Sequence, residues 1–352
     1  GDMDKLRLGL VGCGGMGTRH LYGLKELTDT PFSNVELAAV CDIKKENAEL
    51  AADEAEKLLG ERPLVFTDVE EMARNTSDLA AVDVVTDPAF HHTVCCPALE
   101  LGLHVLVEKP MAISVRTCQL MIDAAACNNR IISVAENFRR DPSARVVRHL
   151  LETGEIGTVH MALIHLLGAG NHIFISPWRH KKEMGGFILD MSVHNTHMIR
   201  YQLGDIAEVY GEARMVEPVR RKSGSMSMGY EFYRRRFQAM DDEIEATVED
   251  TTQALFRMES GAVVNFIAAI SGHSSAGREV ILGDRGSING FGNRGSRISV
   301  ERRGEANLEQ EELLAAHPDL VLDPLTRHLF PTGVTYEDPK VDIKLLAYQL
   351  HE

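Results

Sequence analysis

Leu6-Arg7-Leu8-Gly9-Leu10-Val11-Gly12-Cys13-Gly14-Gly15-Met16-Gly17 is the stretch on which the fold turns. An apolar run of strand length passes directly into G-x-G-x-x-G, and a helical pattern follows from Thr18 to about Leu27. A second apolar run, Val35 to Cys41, ends at Asp42, 25 residues after Gly17. Each part has a physical reason in a dinucleotide site. Gly12 permits a tight turn, Gly14 lets backbone approach a pyrophosphate, and Gly17 allows close helix–strand packing. The helix N-terminus that follows offers free N–H groups and a positive dipole end to phosphate. The Asp42 carboxylate is suited to accept hydrogen bonds from the ribose hydroxyls. A glycine-rich turn in a nucleotide-free domain is the plain alternative; the strand, the helix and the acid together select the dinucleotide.

Asp42 also bears on cofactor identity. A carboxylate repels a ribose 2′-phosphate, so NAD is favoured over NADP. Lys44 and Lys45 follow and are able to soften that repulsion, leaving NADP possible, or to stand solvated in the first turn of the next helix.

Working outward, Pro63–Phe66, Val82–Thr86, Val105–Val107 and Ile131–Val134 are further strand candidates with helical stretches between them. Strands alternating with helices imply right-handed crossovers and a doubly wound parallel sheet, here over residues 4–140. The rhythm then changes. After a helical stretch from Pro142 to Glu152, strands are expected at Val159–Leu167, Thr251–Met258, Ala262–Ala269, Arg278–Leu282, Ser287–Ile288 and Arg297–Val300, with a main helix at Asp190–Leu203. This predicts an α+β second domain, residues 141–352, on a mixed, mostly antiparallel sheet.

The 352 residues suit two domains at roughly 150 residues each. With 37 Lys and Arg against 52 Asp and Glu, the net charge of −15 disfavours general nucleic-acid binding. No run approaches the ~20 apolar residues of a membrane helix, and no signal-peptide pattern opens the chain. The six cysteines all lie within the first 127 residues without zinc-type pairs, which suits reduced thiols and a cytoplasmic address. Gly1-Asp2 ahead of Met3 reads as an appended remnant.

Two short stretches carry chemistry. Glu108-Lys109-Pro110 closes an apolar run and so falls at the ligand-binding rim of a parallel sheet. The proline restricts Lys109 to an extended backbone and makes a cis peptide feasible. In Gly185-Gly186-Phe187-Ile188-Leu189-Asp190-Met191-Ser192-Val193-His194, Asp190 and His194 share a helix face. A carboxylate beside an imidazole orients it for general-base work, although such a pair is also an ordinary helix-surface or capping arrangement.

Taken together, Gly12–Gly17, Asp42, Glu108-Lys109-Pro110 and the Gly-Gly…Asp190…His194 segment closely resemble the Gfo/Idh/MocA oxidoreductase family, which includes inositol, glucose and other sugar dehydrogenases. Pro88 through His92, Asn137-Phe138-Arg139 and Pro177-Trp178-Arg179 add to the likeness. The resemblance spans almost the whole chain in the family's order. It implies an N-terminal Rossmann domain, a C-terminal domain with a large open sheet, and a homodimer or homotetramer assembled through that sheet. It places Gly12, Gly14, Gly15, Met16, Gly17, Asp42, Pro88, His92, Glu108 and Lys109 at the cofactor. Lys109, Asp190 and His194 become the catalytic residues: Lys109 at the reacting hydroxyl, His194 as general acid/base, and Asp190 holding that imidazole or a substrate hydroxyl. Trp178, Arg179 and His197 join them as substrate contacts.

Departures from the family pattern fall on the pocket wall: Met184 replaces a glycine, Ser192 replaces another, and His197 stands where an acid is common. Asp190, His194 and His197 also have metal-ligand spacing on a helix, but the family's chemistry needs no metal. His165, His172 and His180 flank the same segment, and Trp178 is able to stack on a sugar or fill core. Arg214–Asp250 is a long connection carrying Arg234-Arg235-Arg236 and then Asp241-Asp242-Glu243; it reads as a solvated helix or as a lid or subunit contact. The activity expected is hydride transfer between a secondary hydroxyl of a sugar, sugar derivative or cyclic polyol and NAD. The rivals are an NAD-dependent glycosidase of the same fold and a non-catalytic dinucleotide sensor, the latter disfavoured by retention of Lys109 and His194. The terminal helical pattern, Leu345 to Leu350, has no stop signal, so a further segment is expected beyond it.

Overall fold

A computed structural model describes residues 5–224, 230–321 and 323–352, leaving Gly1-Asp2 outside the described residues. The chain separates into two compact units, one of residues 5–136, 230–239 and 346–352, the other of residues 137–224 and 240–345. The first unit therefore takes in a helix from the long connection and the end of the last helix as well as the N-terminal stretch.

In the first unit, strands β1 (Leu6–Val11), β2 (Val35–Cys41), β3 (Leu64–Phe66), β4 (Leu79–Val84), β5 (His104–Glu108) and β6 (Ile132–Ala135) form one parallel sheet ordered β3-β2-β1-β4-β5-β6. Helices α1 (Gly15–Thr28), α2 (Lys45–Leu59), α3 (Val69–Asn75), α4 (His91–Glu100) and α5 (Val115–Cys127) supply the crossovers. Val82, Val84 and Val107 are wholly buried, as expected of strands covered on both faces. Asp68 and Ser114 cap α3 and α5 by accepting the Glu71 and Thr117 N–H groups. The strand order reverses between β1 and β4, which opens a crevice at their carboxyl ends.

The second unit opens with α6 (Pro142–Glu152), followed by β7 (Val159–Ala169), α7 (Gly186–Leu203), β8 (Ile206–Arg214) and β9 (Val219–Arg221). Helix α8 (Glu231–Ala239) belongs to the first unit. Strands β10 (Glu243–Glu245), β11 (Thr251–Met258), β12 (Val263–Gly272), β13 (Ala276–Gly283), β14 (Gly286–Asn289), β15 (Ser299–Arg302) and β16 (Leu308–Glu309) follow, then helices α9 (Gln310–Ala316), α10 (Pro318–Val321), α11 (Pro324–Leu329) and α12 (Val341–His351). The large sheet runs β16-β15-β14-β13-β7-β12-β11-β8, antiparallel except where β7 meets β12. Val146 and Val147 of α6 and Met198 and Ile199 of α7 are buried with Ile164, Val264, Phe266 and Ile281 of the sheet in a single core. Met161, Leu166, Val209, Tyr210 and Leu255 remain exposed within this unit.

The local patterns place most elements within a few residues. Helix α7 begins at Gly186 rather than Asp190, because Gly185 and Gly186 adopt positive φ and turn the chain into the helix before the charged pair. Strand β8 and the β9–β10 ribbon carry no buried alternation that marks a strand: almost all of β8 is solvent-exposed, and pairing with β11 alone makes it a strand. Among the described residues no helix is long and apolar enough to cross a membrane, and the six cysteines are free thiols.

Candidate active site

The glycine loop takes the form its spacing demands. Gly12 has φ +99°, and a Cβ there would lie 2.8 Å from the Val85 and Thr86 backbone; at Gly17 it would collide with the Gly12 carbonyl. Glycine is required at both places by the tight packing of the loop on its own fold, and α1 starts at Gly15 directly within it, leaving the first N–H groups of the helix at the loop. Asp42 sits at the end of β2, half-buried. Its Oδ2 accepts the Cys13 N–H at 2.8 Å and its Oδ1 accepts the Lys44 N–H at 2.8 Å, so the carboxylate is held beside the loop. Lys44 and Lys45 are exposed.

Across the sheet reversal, the segments after β4 and β5 are stapled by His91, which falls inside the Pro88–His92 stretch but carries no role of its own in the sequence reading. His91 is fully buried; Nε2 faces the Thr86 carbonyl at 2.9 Å and Nδ1 faces the Pro110 and Met111 carbonyls, both at 3.1 Å. Burial pushes this imidazole below its usual range, more than the surrounding carbonyls raise it. Pro88 is buried in the turn before α4, and His92 is half-buried. Among the described residues, Thr86 Oγ1 and His92 Nδ1 are buried with no hydrogen-bond partner. Two orphaned polar atoms just after the carboxyl end of β4 are what a polar ligand's hydroxyl or amide groups would satisfy.

Glu108 and Lys109 diverge. The Glu108 side chain turns into the fold, where Oε1 lies 3.0 Å from His20 Nε2 and Oε2 accepts the Lys109 N–H at 2.9 Å. His20, on α1, completes the network through Nδ1 to Asp83 Oδ2 at 2.6 Å. Burial opposes charge on this ring, yet the two carboxylates outweigh it and raise it to about 10. An imidazolium thus ties α1, β4 and β5 together directly behind Lys109, which is half-buried and joined to Pro110 by a cis peptide. Glu108, expected at the cofactor, thus spends both carboxylate oxygens on His20 and on the Lys109 backbone. Only the three-dimensional fold reveals His20, since nothing local marks a helix histidine as the partner of acids 63 and 88 residues away.

In the second unit the predicted residues gather around α7. Asp190 and His194 are 2% and 4% exposed. Asp190 Oδ2 accepts from Arg179 Nε at 2.8 Å; Arg179 also donates to Ser176 Oγ at 2.7 Å and lies over the Trp178 ring at 4.3 Å. His194 is stacked flat on Phe138, with ring centroids 3.9 Å apart and planes 1° from parallel. Phe138 fixes the plane of the imidazole, and the Asp190–Arg179 pair lies one turn away along the helix. Ile175, just before this loop, holds φ +60°, a strained conformation for a β-branched residue.

The remaining histidines separate. His197 stacks at 6.3 Å on Tyr201. His165 pairs with Asn265 of the neighbouring strand at 2.6 Å, and His172 is exposed. His180 accepts the Phe174 N–H at 2.9 Å and is pushed down to about 4 by burial and then by Arg220 and Arg179, so it is a neutral packing group. Among the described residues no three His, Cys, Asp or Glu converge as a metal site.

A family model described as an oxidoreductase family with an NAD-binding Rossmann fold matches residues 6–136, and the Gfo/Idh/MocA C-terminal domain matches residues 144–289. The chain belongs to the Gfo/Idh/MocA family of oxidoreductases. It is an NAD-dependent oxidoreductase, and the Asp42 carboxylate held beside the glycine loop and the orphaned polar atoms of its first unit fit that cofactor. Similar proteins include the levoglucosan dehydrogenase of Pseudarthrobacter phenanthrenivorans, 27% identical over 279 residues, 77% of this chain and 69% of that protein. The myo-inositol 2-dehydrogenase of Thermotoga maritima is 24% identical over 80% of this chain and 74% of its own length. A glycosyl hydrolase family 109 protein of Akkermansia muciniphila is 24% identical over 94% of this chain and 70% of its own. Among solved structures, levoglucosan dehydrogenase in complex with NADH and levoglucosan shares the fold with TM-score 0.74 at 22% identity, over 98% of this chain and 88% of that one.

Proposed function

We propose that the enzyme is a dehydrogenase for a secondary hydroxyl of a sugar, sugar derivative or cyclic polyol. The observation that carries this reading is the buried imidazole of His194, locked against Phe138 one turn from a carboxylate that is itself held by Arg179. When bound, NAD supplies a hydride acceptor at nicotinamide C4. His194 takes the hydroxyl proton during oxidation and returns it during reduction. Lys109 places an ammonium by the reacting oxygen and lowers the cost of negative charge there. Asp190, oriented by Arg179, accepts a hydrogen bond from a neighbouring hydroxyl or from His194. Trp178, Arg179 and His197 line the substrate side, and Gly12–Gly17, Asp42, Pro88 and His92 hold the dinucleotide. The proposed assembly is a homodimer or homotetramer through the large sheet, where exposed Met161, Leu167, Tyr210 and Leu255 share, by register and alternation, the face turned away from the helices and suit burial by a second copy. The proposed address is cytoplasmic.

The test is a panel of sugars and polyols monitored for NADH formation. NADH release with at least one secondary polyol supports the reading; silence across the panel, with intact NAD binding, overturns it. A second reading, NAD-dependent glycoside cleavage through transient oxidation, is favoured by the likeness to the family 109 glycosyl hydrolase across 94% of the chain. Chromogenic glycosides in the same panel, cleaved without net NADH, would select it.

A further inference from the structure

The three consecutive arginines of the long connection do not share a fate. Arg234 and Arg235 face solvent and both pair with Glu231, at 2.7 and 2.8 Å. Arg236 turns the other way. It is half-buried, stacked over Phe232 at 4.7 Å and near Tyr233 at 5.8 Å; where a Cβ on Gly14 would stand, Phe232 Cζ lies 3.5 Å away and Arg236 Nη2 3.8 Å, so ring and guanidinium together border that glycine. Gly14 is the glycine whose bareness lets backbone approach a pyrophosphate.

Gly15 supplies an independent observation. The G-x-G-x-x-G pattern requires no glycine at this position, yet a Cβ there would lie 2.5 Å from Tyr233 Cζ and 2.7 Å from its hydroxyl oxygen. Tyr233 is 4% exposed, and the ring of Tyr230 rests on Tyr22 of α1 with centroids 4.9 Å apart. The fourth glycine of the loop is therefore explained by the helix seated on it. Helix α8 is built into the cofactor-binding unit, although it arises more than 90 residues after the last strand of that unit's sheet.

We propose that Arg236 is a cofactor-binding residue, its guanidinium taking the phosphates of the dinucleotide, with α8 clamped on the glycine loop by Tyr233. Aromatic stacking pre-orders the guanidinium, and a planar fork matches phosphate oxygens. This rests on the dinucleotide lying at Gly12–Gly17, and the test separates the two ideas. Binding of ADP-ribose and of adenosine is measured by competition against NADH fluorescence for the whole chain and for Arg236→Ala, Arg236→Lys and Gly15→Ala, with melting temperatures to verify folding. Wild-type binding of ADP-ribose tests the loop itself. Arg236→Ala is expected to weaken ADP-ribose roughly 10- to 100-fold, to leave adenosine within about twofold, and to flatten the salt dependence; Arg236→Lys recovers part of the loss. Gly15→Ala, which lifts the helix, is expected to speed NADH dissociation. Equal losses for adenosine and ADP-ribose, no loss at all, or tighter binding on removing Arg236 would each overturn the proposal, the last by showing that the helix shields the loop.

Discussion

Arg179 Nε donates to Asp190 Oδ2 across 2.8 Å with both side chains buried, so the carboxylate expected to serve the imidazole of His194 is first of all the partner of a guanidinium. This pairing gives the buried carboxylate a counter-charge and fixes which of its lone pairs face outward. Replacing Arg179 by Gln should lower turnover about 10- to 100-fold while NAD affinity stays within twofold. Steady-state kinetics beside NADH titration check this, and unchanged turnover would remove Arg179 from the positioning of Asp190.

His194→Ala should cut turnover about 10²- to 10⁴-fold, the usual range for a lost acid/base group, with NAD binding preserved. Phe138→Ala keeps the imidazole but frees its plane, so a smaller loss of about tenfold is expected. Near-normal rates for His194→Ala would dismiss it as the acid/base.

His20 gives a pH dependence with a definite sign. Its folded value is raised from 6.5 to about 10 by Asp83 and Glu108 against the penalty of burial. The stabilisation is therefore complete below pH 6.5 and is lost as pH climbs toward 10. His20→Gln should cost about 3–5 kcal/mol by leaving two buried carboxylates without their cation and should erase that alkaline slope. Denaturant titrations between pH 6 and 10 read both effects.

Asp42 governs the choice between cofactors. Asp42→Ser removes the carboxylate that repels a 2′-phosphate, so the ratio of kcat/KM for NAD over NADP should fall at least about tenfold. A wild-type preference for NADP, or a variant with an unchanged ratio, would contradict the role given to Asp42.

Arg220 and Asp250 anchor the long connection. Arg220 is wholly buried, donating to Asp250 Oδ2 at 2.8 Å and to the Gly170 carbonyl at 2.7 Å, while Asp250 also accepts the Val216 and Glu217 N–H groups. Asp250→Ala should destabilise the second unit by about 3–5 kcal/mol, seen as a lower melting temperature. The paired change Arg220→Met with Asp250→Leu should cost less than the single one, because no lone buried charge remains.

Sequence by itself determined the parts that depend on short-range order. Strand–helix alternation through Ala135 specified the parallel sheet, and G-x-G-x-x-G followed by Asp42 specified its ligand edge, since turn geometry and helix ends act over a few residues. Lys109 and the Asp190–His194 pair stood out as short motifs, but the roles proposed for them came only with the family resemblance. Tertiary structure alone decided which partner each buried charge takes. Asp190 meets Arg179, Glu108 meets His20, Asp250 meets Arg220, and Arg236 leaves its two neighbours to lie against Gly14. Such pairings are settled by which elements the packed core brings together, and a desolvated charge must find its counter-charge wherever in the chain that lies.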